Sequence, residues 1–263
     1  MNSSINQDIQ YMKTALITGA TSGIGKATAL LLAAHQYRLI ITGRRKDRLE
    51  ELAEELVEKY DSKVLILNFD IRNFEEVQEH LGNLPLEWKT IDVLINNAGL
   101  AAGFGSIDQG NIQDWEAMID TNVKGLLYVS RLITPLMIEK QTGHIVNIGS
   151  IAGKEVYLNG NVYCASKHAV DALSKAMRID LLPHNIKVTH IAPGMVDTEF
   201  SLVRFNGDEE KAAAVYQGLE PLYARDIAEV IWFALNRPAH VNINDLVVMP
   251  TVQANTSHVL RKT

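Results

Sequence analysis

The stretch Thr14-Ala-Leu-Ile-Thr-Gly-Ala-Thr-Ser-Gly-Ile-Gly25 decides the fold, because an apolar strand runs directly into a glycine-rich turn and then into a helical pattern. Glycines at positions 19, 23 and 25 allow a sharp turn and let the backbone approach a pyrophosphate, whose charge suits a helix N-terminus. Such a cluster can be only a turn, and its G-x-x-x-G-x-G spacing differs from the usual dinucleotide motif. The order of strand, turn and helix nevertheless favours a dinucleotide site.

Short apolar segments alternate with helical patterns along the rest of the chain. Segments this rich in Val, Ile and Leu are typical of parallel strands that are covered on both faces. The repeated βα units predict a single-domain α/β fold, a doubly wound Rossmann-type parallel sheet of about seven strands with helices on both faces. The predicted strands are 14–18, 38–42, 63–69, 91–95, 144–148, 187–191 and 246–249. The predicted helices are 24–35, 46–59, 74–81, 112–139, 162–182 and 225–236.

Two segments fall outside this alternation. We expect residues 1–12 to be a short polar N-terminal extension, and residues 13–263 to form the dinucleotide-binding domain. Residues 195–222 form a long segment of mixed character that contains Phe200 and Tyr216. A long irregular segment of this kind suits a lid beside a site.

Composition excludes several classes of protein. The chain of 263 residues has a net charge of −6 and no basic tract, which argues against binding to nucleic acid. No apolar run reaches the ~18 residues that span a bilayer, and the N-terminus does not resemble a signal peptide. The single cysteine, Cys164, fits a reducing compartment. The eight histidines show no paired metal spacing, so no metal is predicted. A cytoplasmic protein is expected.

Two arginines after the second predicted strand indicate the type of dinucleotide. An NAD site places a carboxylate there for the ribose 2′-hydroxyl, whereas this chain has Arg44 and Arg45. Guanidinium groups bind a 2′-phosphate through charge-assisted hydrogen bonds. The alternative is a solvated basic helix start, but cations are unfavourable at a helix N-terminus and their presence calls for an anion. The predicted cofactor is therefore NADP(H).

Polar residues also follow the third and fourth predicted strands. Asp70 is placed to contact an adenine amine, although it could equally cap the helix that follows. The sequence Asn96-Asn-Ala-Gly99 makes a tight approach of the backbone either for the cofactor or simply for a turn. Both segments therefore allow a cofactor contact and a purely structural role.

Four further residues suggest proton transfer at the carboxyl ends of the strands. Tyr163 and Lys167 share one helix face at a spacing of four. A neighbouring ammonium would lower the pKa of the phenol and make it a general acid/base. The Ser150 hydroxyl, just after a strand, can donate to a substrate carbonyl. Asn122 lies inside a helical pattern, where asparagine is unfavourable, and either faces water or holds a water behind Lys167.

Together these motifs resemble the short-chain dehydrogenase/reductase family from Thr14 to about Pro250. The resemblance implies hydride transfer between nicotinamide and a carbonyl or alcohol carbon, with Tyr163 as the acid/base. It also implies that the segment from Pro193 to Thr198 lines the nicotinamide. The predicted catalytic residues are Asn122, Ser150, Tyr163 and Lys167. The predicted cofactor residues are Gly19, Thr21, Ser22, Gly23, Ile24, Gly25, Arg44, Arg45, Asp70, Ile71, Asn97, Ala98, Gly99, Tyr163, Lys167, Pro193, Gly194, Val196 and Thr198.

Three other stretches resemble one branch of that family, the NADP-dependent 3-hydroxy acid dehydrogenases. They are residues 84–101, 198–208 and 240–251. This resemblance implies serine, allo-threonine or related 3-hydroxy acids as substrates, the matching semialdehydes as products, and a homotetramer. The alternatives are a carbonyl reductase for neutral ketones and aldehydes, and a dinucleotide-sensing protein that turns nothing over. A sensor has no need of the proton donor Tyr163.

An acidic substrate needs a cation near the pocket. Arg204, in the expected lid, is the first candidate, Arg225 is the second and Lys154 is the third. Each of them could instead be an ordinary surface charge.

Overall fold

The computed structural model describes residues 12–205 and 207–262. Most of the expected N-terminal extension, residues 1–11, lies outside the described residues. Of the helices in the described ranges, none combines the length and apolar character that crossing a membrane requires.

A seven-stranded parallel sheet forms the centre of the protein, in the order β3-β2-β1-β4-β5-β6-β9. The order reverses between β1 and β4, and in doubly wound sheets the ligand crevice opens at such a switch point, outside the carboxyl ends of the strands. The predicted fold class is confirmed. The strands are β1 (Thr14–Ile17), β2 (Arg38–Gly43), β3 (Val64–Asn68), β4 (Val93–Asn96), β5 (Gly143–Ile148), β6 (Ile186–Pro193) and β9 (Asp245–Val248).

The helices cover both faces of the sheet because successive strand side chains point to opposite sides. In β1, Ala15 and Ile17 belong to one apolar cluster and Leu16 belongs to the other. Helix α1 packs against α9 over the first cluster, while α3 packs against α5 over the second. The helices that flank the sheet are α1 (Gly23–Ala34), α2 (Lys46–Tyr60), α3 (Phe74–Gly82), α4 (Ile112–Ile119), α5 (Leu126–Lys140), α6 (Asn161–Asp180) and α9 (Ala224–Leu235).

The helix predicted over 112–139 is interrupted in the structure. A π-helical turn, Asp120–Gly125, separates α4 from α5 and buries Thr121 and Asn122. Gly125 packs against Ile71, where an added Cβ would come within 2.6 Å of the isoleucine Cδ1. π-Helical turns inside α-helices are frequent at functional sites. This one lies at the carboxyl ends of the strands, where the crevice opens.

The segment 195–222 contains short elements of its own. Strand β7 (Val196–Asp197) pairs in parallel with β8 (Leu222–Tyr223), and α7 (Phe200–Arg204) and α8 (Glu209–Ala214) lie between them. The Tyr216 hydroxyl donates to the carbonyl of Val196 at 2.8 Å and lies 2.7 Å from Ser201 Oγ. The segment is therefore hydrogen-bonded to itself as a compact flap that follows β6.

Candidate functional site

A cleft opens at the carboxyl ends of the strands, at the switch point of the sheet. It brings together most of the residues that the sequence predicts for the cofactor and for proton transfer. The predicted residues that line it are Gly19, Thr21, Ser22, Gly23, Ile24, Arg44, Arg45, Asp70, Ile71, Asn97, Ala98, Gly99, Ser150, Tyr163, Lys167, Pro193, Gly194, Val196 and Thr198. Gly25, Asn122, Arg204 and Arg225 do not line this cleft, and their positions are described below.

Close packing holds the glycine turn in place. Gly19 has a φ of 66°, in the left-handed region that favours glycine. The Asn97 side chain donates to the carbonyls of Thr18 and Gly19 at 2.9 and 3.0 Å, so the loop after β4 supports the turn after β1. An added Cβ on Gly25 would lie 2.5 Å from Asn97 Nδ2 and would meet the Gly19 carbonyl oxygen. Gly25 therefore shapes the turn from behind the cleft.

Gly25→Ala should lower the free energy of unfolding by about 1–3 kcal/mol, the usual cost of overpacking. It should also weaken NADPH binding, because the turn has to shift to make room for the methyl group. Gly82→Ala is the control, since an added Cβ there meets only Gln78 Cγ, at 3.9 Å. Denaturant unfolding and NADPH fluorescence titration measure the two effects. Equal unfolding free energies for the two variants would contradict this account of the turn.

The first turn of α1 offers an anion site. Ser22, the residue that precedes the helix, makes no side-chain cap hydrogen bond among the described residues, and no acidic residue lies in the first turn. The first N–H groups of a helix have no partner within the helix, and together with the helix dipole they attract a negative charge. A dinucleotide pyrophosphate fits this turn because no local carboxylate competes with it.

The guanidinium groups of Arg44 and Arg45 lie at the same end of the cleft. Arg45 donates to Thr21 Oγ1 and Ser22 Oγ, each at 2.9 Å, which joins the start of α2 to the glycine turn. The Arg44 side chain is more than half exposed and lies 3.9 Å from Asp70. Two cations beside the turn, one of them only loosely paired, suit the 2′-phosphate of NADP(H).

Glu199 is a residue of the cleft that the sequence does not identify. Its carboxylate accepts a hydrogen bond from Arg45 at 2.8 Å and contacts Arg48. Burial alone would raise the pKa of this carboxyl group, but the two arginines outweigh burial and hold the pKa below its usual value. Glu199 thus ties the segment 195–222 to the basic start of α2. Only the folded chain reveals this contact, because about 150 residues separate the partners.

Asp70 lies in the cleft and does not cap a helix. The cap of α3 is Asn73, whose side chain accepts from the main chain of Glu75 and Glu76. Asp70 instead accepts three hydrogen bonds from the Arg72 guanidinium. Burial alone would raise the pKa of Asp70, but the contacts with Arg72 outweigh it and hold the pKa below its usual value. An ionised hydrogen-bond acceptor therefore faces the cleft beside Arg44.

Tyr163 and Ser150 meet at the opposite end of the cleft. The Tyr163 ring is buried, packs against Phe200 with ring centroids 5.6 Å apart, and has the Ser150 side chain close to its hydroxyl. Ser150 begins the short turn Ile151–Gly153 and accepts from the Ala152 N–H at 3.1 Å. This turn aims the serine hydroxyl into the space before Tyr163. Two hydroxyls can thus reach one substrate oxygen.

The pKa of Tyr163 shifts opposite to the direction that the sequence predicts. Burial raises the pKa of the phenol well above its usual value, and the nearby Ser150 hydroxyl and the charge of Arg204 oppose this only in part. Lys167 Nζ lies 6.0 Å from the Tyr163 ring centroid and donates to the carbonyl of Ile148 at 3.0 Å. Burial also lowers the pKa of Lys167 to about 8, so the amine stays mostly protonated at neutral pH.

Asn122 is buried behind the cleft, where its side chain links the loop after β4 to α6. Its amide accepts from the N–H of Leu100 and donates to the carbonyl of Leu100, both at 2.8 Å. It also donates to Ser166 Oγ at 3.0 Å. Asn122 Oδ1 and Lys167 Nζ both approach Gly99, within 3.2 and 3.4 Å of an added Cβ. The π-helical turn therefore places this amide next to Lys167, joined to the loop after β4.

The three candidate cations for an acidic substrate have different surroundings. Arg204 lines a second cavity that shares Tyr163 with the cleft. Arg225 lines neither cavity of the described residues, and its side chain is 79% exposed. Lys154 hydrogen-bonds Asp171 at 2.7 Å and also contacts Asp245. Among the three, Arg204 alone adjoins Tyr163.

One group of side chains has the arrangement of possible metal ligands. Asp171, His190 and Asp245 place ligand atoms within 4.8 Å of one another. The Lys154 ammonium forms ion pairs with both carboxylates, so a positive charge already lies where a metal ion would bind. Burial alone would lower the pKa of Lys154, but the two carboxylates outweigh it and raise the pKa. This network joins α6 to β9 and lies outside the cleft.

Comparisons with known proteins agree with the geometry of the cleft. The profile of the short chain dehydrogenase family matches residues 13–208. The NADP-dependent 3-hydroxy acid dehydrogenase of Schizosaccharomyces pombe is 46% identical over 95% of this chain and 97% of its own length. The NADP-dependent 3-hydroxy acid dehydrogenase YdfG of Escherichia coli K12 is 45% identical over 91% of this chain and 95% of its own.

Solved structures give the same picture. The closed form of serine dehydrogenase complexed with NADP⁺ superimposes with a TM-score of 0.88 and is 43% identical, covering 95% of this chain and 100% of the other. Serine dehydrogenase from Escherichia coli gives a TM-score of 0.79 at 40% identity, covering 92% of this chain and 99% of the other.

Proposed function

Because the chain belongs to the short-chain dehydrogenase family and is an NADP-dependent dehydrogenase, we propose that it interconverts small 3-hydroxy acids with the matching 3-oxo acids or semialdehydes. Serine, allo-threonine and 3-hydroxypropionate are representative substrates. The observation that carries this proposal is the position of Arg204. Its guanidinium lies next to Tyr163 and, among the described residues, has no carboxylate within ion-pair distance. A small acid bound there would place its reacting carbon near the phenol.

NADP(H), when bound, supplies or accepts the hydride. We propose that the first turn of α1 holds its pyrophosphate, that Arg44 and Arg45 hold its 2′-phosphate, and that Asp70 faces its adenine. The same cleft as that of Lys167 and Tyr163 is lined by residues that would border the nicotinamide half: Gly99, Pro193, Gly194, Val196 and Thr198. These assignments rest on the uncapped helix start and on the cluster of cations described above.

Tyr163 is proposed to donate its phenolic proton to the substrate oxygen during reduction and to accept that proton during oxidation. Ser150 donates a hydrogen bond to the same oxygen and polarises the carbonyl. Lys167 and Asn122 are proposed to continue the proton path behind Tyr163, because both polar groups approach Gly99 from the buried side. Positioned proton transfer of this kind contributes about 10²–10⁴-fold to a rate.

The flap 195–222 is proposed to act as a lid. Phe200 packs on Tyr163, and Arg204 lies 5.8 Å from the same ring. The flap is also held across the cleft through Glu199 and Arg45. A segment that contacts both the proton donor and the phosphate end can exclude water from the reacting groups when it is closed.

Oxidation and reduction should differ in their dependence on pH. Oxidation needs the phenolate form of Tyr163. Because burial raises the pKa of this phenol, the phenolate fraction is small at neutral pH and grows as the pH rises. We expect kcat/KM for hydroxy acid oxidation to rise continuously from about pH 6 to about pH 9. Reduction uses the protonated phenol and should stay nearly constant from about pH 6 to pH 8. Initial rates in both directions measure this, and oxidation that is flat over the range would contradict it.

Arg204→Gln should raise KM for a 3-hydroxy acid by roughly 10- to 100-fold, since a hydrogen bond to a charged group is worth about 1.5–3 kcal/mol. KM for a neutral aldehyde should change little. Arg225→Gln is the matched control, because its exposed side chain lines neither cavity of the described chain. Steady-state kinetics of both variants give KM for the 3-hydroxy acid and for the neutral aldehyde. Equal changes for the acid and the neutral aldehyde would remove the assigned role of Arg204.

A substrate panel tests the proposed function as a whole. We expect NADP⁺ reduction with D- or L-3-hydroxy acids and NADPH oxidation with semialdehydes to be much faster than turnover of neutral alcohols and ketones. Preference for neutral ketones would instead support a broad carbonyl reductase. NADPH binding without turnover of any member of the panel would support a dinucleotide sensor.

We also propose that the protein is a cytoplasmic homotetramer. Exposed apolar residues on the long helices, Leu127 on α5 and Ile179 on α6, support contacts between subunits. The single cysteine, which is buried, is compatible with a reducing compartment. Sedimentation equilibrium gives the mass directly, and a monomer at micromolar concentration would contradict the tetramer.

A further inference from the structure

The second cavity adjoins Tyr163 and contains two side chains of opposite charge. Its walls come from the loop after β4, the start of α4, the start of α6 and the end of α7. Arg204 supplies the positive charge and Asp114 the negative charge. Because Tyr163 belongs both to this cavity and to the cofactor cleft, a small molecule bound here would reach the proton donor.

The Arg204 guanidinium lies among aromatic rings with part of its hydrogen-bonding capacity unused. It is 4.8 Å from the centroid of Phe104 and 5.4 Å from that of Tyr157. Its Nε atom is buried and has no hydrogen-bond partner among residues 12–205 and 207–262. A buried donor without a partner is costly. A ligand carboxylate would satisfy it.

Asp114 also has no counter-charge within ion-pair distance among the residues that the structure describes. It lies in the first turn of α4, where Asn111 already caps the main chain. Its carboxylate makes neither a hydrogen bond nor an ion pair within the described part of the chain. An added Cβ on Gly103 would come 2.7 Å from Asp114 Oδ2, and the Gly103 N–H donates to the Arg204 carbonyl at 3.1 Å. Both charged residues therefore pack around one glycine.

Two opposite charges that face one cavity and remain more than ion-pair distance apart fit a ligand that carries both signs. A plain 3-hydroxy acid would satisfy Arg204 and leave Asp114 unpaired. An α-amino acid presents a carboxylate and an ammonium on the same carbon, with the 3-hydroxyl one carbon further along. Its two charged groups can engage both residues while the hydroxyl carbon points towards Tyr163.

We propose that Asp114 binds the ammonium group of a 3-hydroxy α-amino acid whose carboxylate is held by Arg204, and so selects amino acids over simple hydroxy acids. This inference rests on the proposed function. It differs from a purely structural role for Asp114, in which the carboxylate only stabilises the start of α4. A structural role would affect all substrates alike.

The test compares L-serine, D-serine and 3-hydroxypropionate, which share the carboxylate and the hydroxyl carbon but differ in the amino group. Asp114→Asn should raise KM for the reactive serine enantiomer by roughly 10-fold or more, as expected for the loss of a charge-assisted contact. KM for 3-hydroxypropionate should change by less than about twofold. Glu116→Gln, an exposed acid on the same helix, is the matched control. Equal changes for both substrates, or an unchanged KM for serine, would overturn the inference.

Inhibition of the unmodified protein provides a second measurement that does not depend on the folding of a variant. L-Alanine should compete with 3-hydroxypropionate more tightly than propionate does, since only the amino acid engages Asp114. Equal inhibition would overturn the inference. Turnover of 3-hydroxypropionate but not of serine would also overturn it while leaving the proposed function intact. Turnover of neutral aldehydes alone would instead show that the proposed function itself has failed.

Discussion

Tyr163→Phe should lower kcat for carbonyl reduction by about 10²–10⁴-fold, because it removes the proton donor and leaves the ring. The buried ring would keep its contact with Phe200, so the fold and the cleft should be preserved. The dissociation constant for NADPH should therefore stay within about twofold of that of the unmodified protein. Stopped-flow reduction of a semialdehyde and fluorescence titration of NADPH measure the two quantities.

Tyr128→Phe is the control for this experiment. Tyr128 packs on Phe74 with ring centroids 5.1 Å apart and does not line the cleft of the described chain. Its loss of a hydroxyl should leave kcat unchanged. If Tyr163→Phe retained more than about a tenth of the activity, another group would have to supply the proton.

The double variant Arg44→Ala/Arg45→Ala should weaken NADPH binding by roughly 100-fold or more, since each charge-assisted contact to a phosphate is worth about 1.5–3 kcal/mol. NADH lacks the 2′-phosphate, so its affinity should fall by less than about threefold. The ratio of the two affinities matters because Arg45 also bonds Thr21 and Ser22 and supports the glycine turn. Isothermal titration with both nucleotides gives that ratio.

Lys46→Ala is the control for charge at the start of α2. Lys46 is largely exposed, pairs with Glu50 at 3.6 Å and does not line the cleft of the described residues. Its removal should leave the preference for NADPH in place. If the double arginine variant lost NADH and NADPH affinity equally, the two arginines would support the glycine turn but would not bind the 2′-phosphate.

The sheet could be predicted from the sequence because every strand is short, apolar and covered on both faces. Each predicted strand overlaps an observed one, and the glycine turn lies where β1 gives way to α1. The break at Asp120–Gly125 was not predicted, although asparagine at position 122 and glycine at position 125 are both unfavourable inside a helix. The turn depends on Asn122 bonding Leu100 and on Gly125 meeting Ile71, which are contacts between distant parts of the chain.

The composition of the cleft could be predicted where a motif follows a strand end, as at Gly19 and Tyr163. Glu199 could not be found in this way, because its partners Arg45 and Arg48 come from the other end of the sequence. The direction of the Tyr163 pKa shift was also predicted wrongly. The spacing of Tyr163 and Lys167 brings the two side chains near each other, but burial is the largest influence on the pKa of the phenol and raises it.

The choice among the candidate cations likewise depends on packing. The sequence ranks Arg204 first, Arg225 second and Lys154 third, but it leaves each of them open as an ordinary surface charge. In the structure Lys154 is bound to Asp171 and Arg225 is exposed. Arg204 lies among the rings of Phe104, Tyr157 and Tyr163.

Recognition of an acidic substrate beside Tyr163 is the central claim, and one comparison tests it most directly. The comparison is the kcat/KM for NADP⁺ reduction with 3-hydroxypropionate against its methyl ester, which keeps the reacting carbon and loses the charge. We predict that the acid is preferred by roughly 100-fold or more in the unmodified protein, and that Arg204→Gln removes most of this preference. Equal kcat/KM values for the acid and the ester in the unmodified protein would contradict the account.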